Sequence, residues 1–367
     1  MNTKTGILFA LFLVGAAQLL GANWIYTYSE EDNAGQITDG VWTFNATVKT
    51  ETTNLTVGKF IDYPENVSTL DFSKSVIDSE GTIYTIVTLN PQFSTTTETW
   101  KTISGTTAGQ KIGELVLPSE GLTSISDGAF GACNALTNII NFLPDSVTSL
   151  GQASFMNCSN VKGSLRAKNV NYFNRCAFYG CSTLKEVIIG SGVRTISNGS
   201  NKQGAFQNCT GLTNIVFEAD CHDIVLKGYA FSGKIKLTKP LILNGVIKVN
   251  ENAFANMVNV ESITFDKCIQ TISNDVFKSG EHPTNLKEIH FLGAPPSNTY
   301  NVEFFGEIST KITTYVPHRY GDEWKKYSAT GEIDLKTTTF SSDYVANPEL
   351  RPLLWGDSID ATTIIIR

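Results

Sequence analysis

The sequence predicts a β-rich solenoid. Three observations carry that prediction: a phenylalanine that returns about every 24 residues, a short alternating apolar run in fixed phase with it, and a composition that favours strands and turns. Thr, Ser and Asn are abundant while Leu, Ala, Glu and Lys are not, which disfavours helices. The 367 residues are 41% hydrophobic and 17% charged, enough to bury a core and unlike a disordered tail. A net charge of −7 supplies no basic face for a nucleic acid. It also gives no attraction to an anionic membrane surface. Four histidines and seven scattered cysteines leave little material for a metal centre, and no cofactor is expected.

The first segment reads as an address. After Lys4 the chain is apolar from Ile7 to Leu20, broken only by Gly15 and Gln18, with small residues at Ala16-Ala17 and Gly21-Ala22. A charged start, a run this short and a small-residue exit fit a secretory signal peptide over 1–22 better than a membrane span, which needs about 20 apolar residues. No later run is apolar enough to span, so the mature chain is expected to be secreted or at the cell surface, with no membrane span.

The repeat takes its phase from Phe130, Phe155, Phe178, Phe206, Phe231, Phe254 and Phe277, spaced 25, 23, 28, 25, 23 and 23 residues apart. Six residues after each of the first six comes an aliphatic (Leu136, Val161, Leu184, Leu212, Leu237, Val260); after Phe277 it is Leu286, displaced by Gly280-Glu-His-Pro283. Each aliphatic opens a run such as Leu212-Thr-Asn-Ile215-Val-Phe217, Val260-Glu-Ser-Ile263-Thr-Phe265 or Leu286-Lys-Glu-Ile289-His-Phe291. Side chains alternate across a strand, so the fourth and sixth positions face one way and the fifth the other. A second apolar pair (Leu122/Ile125, Val147/Leu150, Val193/Ile196, Val246/Val249) precedes the next phenylalanine. Units of this length bury their apolar face only by stacking, at about 4.8 Å per strand.

These units resemble leucine-rich repeats, and more narrowly the BspA type. The phrase that carries the resemblance is Leu122-Thr-Ser-Ile125-Ser-Asp-Gly-Ala-Phe130-Gly-Ala-Cys133-Asn-Ala-Leu136. Cys133, Cys158, Cys181 and Cys209 each follow the phenylalanine by three residues, as the family pattern expects; Lys234, Met257 and Gly280 depart from it. The domains expected are the signal peptide 1–22, an irregular β-rich N-terminal cap region 23–66, a repeat array 67–317 with clear units over 112–291, and an irregular C-terminal tail or cap 318–367. Weaker echoes are Val67-Ser-Thr-Leu70-Asp-Phe72, then Ile86-Val-Thr-Leu89 with Phe93, and a terminal strand at Ile312-Thr-Thr-Tyr315. All five tryptophans, Trp24, Trp42, Trp100, Trp324 and Trp355, lie outside the clear repeats and are read mainly as plugs for the ends of the core.

The candidate chemistry is thin. The four in-phase cysteines read as a column of buried thiols, since parallel Cβ directions suit a disulfide poorly. A cysteine nucleophile needs a histidine in reach, and His222, next to Cys221, points to the opposite face of an extended chain. No H-E-x-x-H, C-x-x-C, G-x-S-x-G or phosphate-binding glycine pattern occurs. The run Glu30-Glu31-Asp32 reads as solvated charge. N-x-S/T triplets at Asn45, Asn54, Asn66, Asn157, Asn198 and Asn208 are glycan acceptors only in a eukaryotic secretory route, and Asn157 and Asn208 read more simply as turn residues. The chain is expected not to be an enzyme.

What remains is a surface. The outward strand positions Val116, Ile140, Arg166, Ile188, Val216, Thr264 and His290 are the partner-binding candidates, with Glu114, Asn138, Glu186, Asn214, Ser262 and Glu288 two residues earlier. The resemblance implies a recognition role in adhesion or host contact with a protein ligand, such as a host or extracellular-matrix protein. Its binding residues follow no motif, so none is carried across. The alternative is a carbohydrate- or envelope-binding protein that stacks a glycan on Trp24, Trp42 or Trp100. A secreted hydrolase with an appended array ranks well behind both.

Overall fold

The structure, a computed structural model, describes residues 23–63, 65–66, 68–96, 103–198, 203–257, 259–273, 275–277, 285–296, 313–315, 320 and 323. Residues 1–22, read from the sequence as a signal peptide, and nearly all of 318–367 lie outside the described residues. The chain divides into two compact units, residues 1–161 and 162–367.

The first unit opens with β1 (Trp24–Ser29), β2 (Ala34–Thr38), β3 (Thr43–Val48), β4 (Asn54–Asp62), β5 (Thr69–Asp71), β6 (Val76–Ile77) and β7 (Ile83–Leu89). The sequence led us to expect an irregular cap over 23–66. Six of these strands instead close a barrel, in the ring order β6–β1–β2–β3–β4–β7 and back to β6, so the N-terminal element continues to Leu89. Alternation along the strands sends Trp24, Ile37, Phe44, Ala46, Leu55, Val57, Val76 and Ile86 inside. Asp39 shapes the β2–β3 turn: its Oδ1 accepts the Val41 and Trp42 N–H at 3.0 and 2.8 Å, and its Oδ2 meets Lys74 Nζ at 3.0 Å.

The same unit then runs through β8 (Ser94–Thr96) and β9 (Ile103–Gly105), a 3-10 turn at Gly109–Lys111, and β10 (Glu114–Val116), β11 (Ser124–Ile125), β12 (Asn138–Ile140) and β13 (Ser149–Leu150). Two parallel ladders grow out of the barrel region. One is β5–β10–β12, with Leu70 opposite Leu115 and Leu115 opposite Ile139. The other is β7–β11–β13, with Leu89 opposite Ile125 and Ile125 opposite Leu150. Strand β7 therefore belongs to the barrel and to a ladder at once. The two barrel tryptophans seal the outer edge of β5: Trp24 Nε1–H donates to the Asp71 carbonyl (2.8 Å) and Trp42 Nε1–H to the Thr69 carbonyl (3.1 Å). An edge strand left open would template further pairing.

The second unit repeats the plan. One set of strands is β14 (Ser164–Ala167), β16 (Glu186–Ile189), β18 (Asn214–Phe217), β20 (Leu241–Leu243), β22 (Ser262–Phe265), β24 (Glu288–Phe291) and β25 (Thr313–Tyr315). The other is β15 (Tyr172–Asn174), β17 (Thr195–Asn198), β19 (Ile224–Leu226), β21 (Val246–Val249) and β23 (Thr271–Ile272). Every pairing within these sets is parallel. The first set divides into β14–β16–β18 and β20–β22–β24–β25. Pro240, just before β20, has no N–H to give to β18 at that division. The expected terminal strand exists as β25, with Thr314 opposite Ile289.

Phenylalanine returns form a third ladder. In the first unit the Phe130 N–H bonds the Ser154 carbonyl (2.8 Å); in the second, those of Phe178, Phe206, Phe231 and Phe254 bond the carbonyls of Ala205, Ala230, Ala253 and Val276 at 2.8–3.0 Å. The rings stack as columns. Phe130 lies 5.3 Å from Phe155 in the first unit; in the second, Phe178, Phe206, Phe231, Phe254 and Phe277 follow at 5.3, 5.2, 6.1 and 5.6 Å. Burying each ring contributes on the order of 2–3 kcal/mol, and stacking adds about 0.5–1.5. Phe93, read from the sequence as an echo, joins the first column 6.0 Å from Phe130.

Left-handed backbone flanks Phe130, Phe155, Phe178, Phe231 and Phe254 on both sides. Two residues after the phenylalanine stand Ala132, Asn157, Gly180, Asn208, Gly233 and Asn256, all with positive φ. Two residues before it stand Gly128, Ala153, Cys176, Tyr229, Asn252 and Asp275, also positive. Gly, Asn and Asp dominate these places because they enter this region at least cost.

Candidate functional site

On the ladder face, polar and aliphatic rows run side by side. In the first unit Glu114 and Asn138 face each other across β10–β12, and Asn138 Nδ2–H donates to Glu114 Oε2 at 2.8 Å. The next row is Asp71, Val116 and Ile140, in register. Val116 is half-buried and Ile140 is 42% exposed.

In the second unit the polar row is Ser164, Glu186 and Asn214. The Ser164 hydroxyl donates to Glu186 Oε2 (2.8 Å) and the Asn214 amide to Oε1 (2.6 Å). Those two hydrogen bonds hold the Glu186 carboxyl below the usual carboxylate range. The next row is Arg166, Ile188 and Val216, with both aliphatics half-buried. The Arg166 guanidinium reaches past them to Glu218, Nε to Oε1 at 3.0 Å and a terminal nitrogen to the same oxygen at 2.9 Å. Ile188 and Val216 thus lie between a hydrogen-bonded row and an ion pair.

Two candidates fail. Thr264 and His290 stand opposite each other on β22 and β24, but both are buried, at 1% and 9% exposure. Alternation separates inside from outside only where one face of a strand meets water, and here both faces are covered. His290 Nε2 lies 3.1 Å from Glu288 Oε2; burial pushes its pKa down, against a smaller upward pull from Glu288. The Thr264 hydroxyl has no hydrogen-bond partner among the described residues.

Two of the three tryptophans of the glycan alternative are enclosed as well. Trp24 and Trp42 are interior, at 0% and 1% exposure, and Trp100 lies outside the described residues. Sequence reasoning missed the barrel that takes them in, although Asp39-Gly40 between alternating runs is a hairpin signal.

The cysteines are structural clamps. Cys158 S–H donates to the Phe130 carbonyl and Cys209 S–H to the Phe178 carbonyl, both at 3.0 Å, each tying a repeat to the preceding phenylalanine turn. Off-phase Cys221 donates instead to the carbonyl of Ile189, at the end of β16, at 3.2 Å. Burial pushes Cys158, Cys209, Cys221 and Cys268 up to about 12 and Cys176 to about 11, the wrong direction for a thiolate nucleophile. All described cysteines are free thiols, and no group of three or more His, Cys, Asp or Glu among the described residues is placed to hold a metal. No helix among those residues is long and apolar enough to cross a membrane.

Such parallel ladders around a phenylalanine column define a repeat protein. The chain belongs to the BspA type leucine-rich repeat family: six copies match over residues 106–203 and 200–316, more than half of the sequence. No curated protein matches it. Among solved structures it is similar to the pneumococcal vaccine antigen PcpA, with 14% identity over 84% of this chain and 98% of that one, at a TM-score of 0.39. It is also similar to a leucine rich cell surface protein from Faecalibacterium prausnitzii A2-165, with 15% identity, 88% and 98% coverage and a TM-score of 0.38. A leucine rich repeat protein of T. pallidum matches at 13% identity, 77% and 92% coverage and a TM-score of 0.32.

Proposed function

We propose that this is a non-catalytic recognition protein, secreted or surface-exposed, that binds a protein partner through the ladder face of its repeats in adhesion or host contact. On this reading each unit's repeats form a solenoidal stack, and residues 67–317 carry the binding array between end caps. Membership in the family and the export-like first segment support the reading. The observation that carries it is the pairing of accessible aliphatics, Val116 with Ile140 and Ile188 with Val216, beside polar rows whose side chains are already fixed by hydrogen bonds. An apolar centre with an ordered polar border is the anatomy of a protein interface.

The test is binding of the full chain to a panel of purified extracellular-matrix proteins and glycans, repeated with Ile140→Lys and Ile188→Lys. These variants are expected to weaken the protein ligand about tenfold or more, the range of a hot-spot loss. Undiminished binding by both variants removes the ladder face from consideration.

A further inference from the structure

A second surface lies on the barrel. Among the described residues, the two most exposed large hydrophobic side chains are Ile83 at 65% and Tyr28 at 55%. Both sit at the barrel end where β1 finishes and β7 begins, opposite the Asp39–Trp42 turn. Across the outer wall there, Ile25, Ile77 and Ile83 stand in register on β1, β6 and β7. This is a contiguous aliphatic row, more than solubility requires.

On the opposite face of these strands, at the rim, the Tyr26 and Tyr84 rings meet at 4.9 Å. Asp78 locks the adjoining loop: its Oδ1 accepts the Glu80 and Thr82 N–H, and its Oδ2 accepts the Tyr84 hydroxyl at 2.8 Å. In the β1–β2 loop at the same end, Asp32 Oδ2 accepts the Ser29 hydroxyl at 3.0 Å. The three loops 29–33, 49–53 and 78–82 carry Glu30, Glu31, Asp32, Glu51 and Glu80, all exposed, against a single cation, Lys49.

An aliphatic row beneath a rim of net negative charge complements a segment that carries both apolar side chains and cations. In such a segment the lysine and arginine stems cover the isoleucines while their heads meet the carboxylates of the rim. We propose that this end of the barrel docks a basic, apolar-flanked polypeptide segment of another protein. The site is separate from the ladder face and does not depend on it.

The test is fluorescence anisotropy of the full chain with a labelled peptide of alternating lysine and leucine, against its glutamate–leucine counterpart, at about 50 and about 500 mM salt. The lysine peptide is expected to bind more tightly, and more weakly at high salt. Ile83→Ser and Tyr28→Ser, at exposed positions and checked for unchanged melting, are each expected to cost about tenfold in affinity. Replacing Glu30, Glu31 and Asp32 by their amides is expected to reduce the salt dependence. Ile140→Lys, on the ladder face, is expected to leave this binding unchanged. Equal binding of the two peptides overturns the proposal, as does full affinity in both serine variants. Tyr28-dependent capture of a neutral oligosaccharide without binding of the basic peptide also overturns it, and assigns the surface to a glycan.

Discussion

Two stretches of the second unit share one strand pattern and meet different surroundings. In β14, β16 and β18 the outward residue of one register row (Arg166, Ile188, Val216) is open or half-open and its neighbours are buried, as alternation requires. In β22 and β24 the same position (Thr264, His290) is buried along with those neighbours. The strand period fixes which side chains share a face, whereas the cover over that face comes from elsewhere in the chain. The sharpest break of this comparison is a charge placed at both positions. Thr264→Arg forces an unpaired cation into a covered site and is expected to cost about 3 kcal/mol or more. Val216→Arg is expected to stay within about 0.5 kcal/mol. Urea unfolding of the two variants checks this, and equal losses would mean that the two faces are alike.

The same comparison has a subtler form at Thr264 alone. A buried hydroxyl with no partner leaves its desolvation uncompensated, at about 1–3 kcal/mol. Thr264→Val keeps the shape and removes the oxygen, so it is expected to stabilise the chain by about 1 kcal/mol. A destabilised valine variant would mean that the hydroxyl has a partner in the native chain.

Much of the repeat region was legible because its signals are local and recur. Phe130 to Phe277 set a phase, Leu212-x-x-Ile215 marked a strand, and Cys158 and Cys209 fell where buried thiols fit. The barrel was less legible because closure is a pairing property: nothing within Val76-Ile77 or Ile83–Leu89 says that these strands join β1 and β4. Leu89 and Phe93 did read as repeat echoes, and β7 makes that reading and the barrel compatible. On the ladder face, the periodic pattern found Val116, Ile140 and Ile188, yet it could not foresee that Arg166 would be neutralised by Glu218, 52 residues away. Nor could it separate Thr264 from Val216, since both occupy the same phase and differ only in what lies over them.

The smallest effect in this comparison is a dependence on pH that only the covered stretch should have. Burial lowers the folded pKa of His290 from its ordinary 6.5, and the nearby Glu288 carboxylate offsets part of that shift. The folded chain therefore keeps a neutral imidazole over a range in which the unfolded chain takes up a proton. With more protons bound to the unfolded state, stability rises with pH there. The contribution is fully present above the unfolded pKa and is lost as pH falls below it towards the folded value. Thermal melting of the wild type is expected to decline between about pH 7.5 and about pH 5.5 more steeply than that of His290→Gln, which has no group to titrate at that position. The other histidines are common to both proteins and cancel in the difference. Parallel melting curves would show that the cover over β24 does not keep the imidazole from its proton, and the distinction between the two stretches would then rest on Thr264 alone.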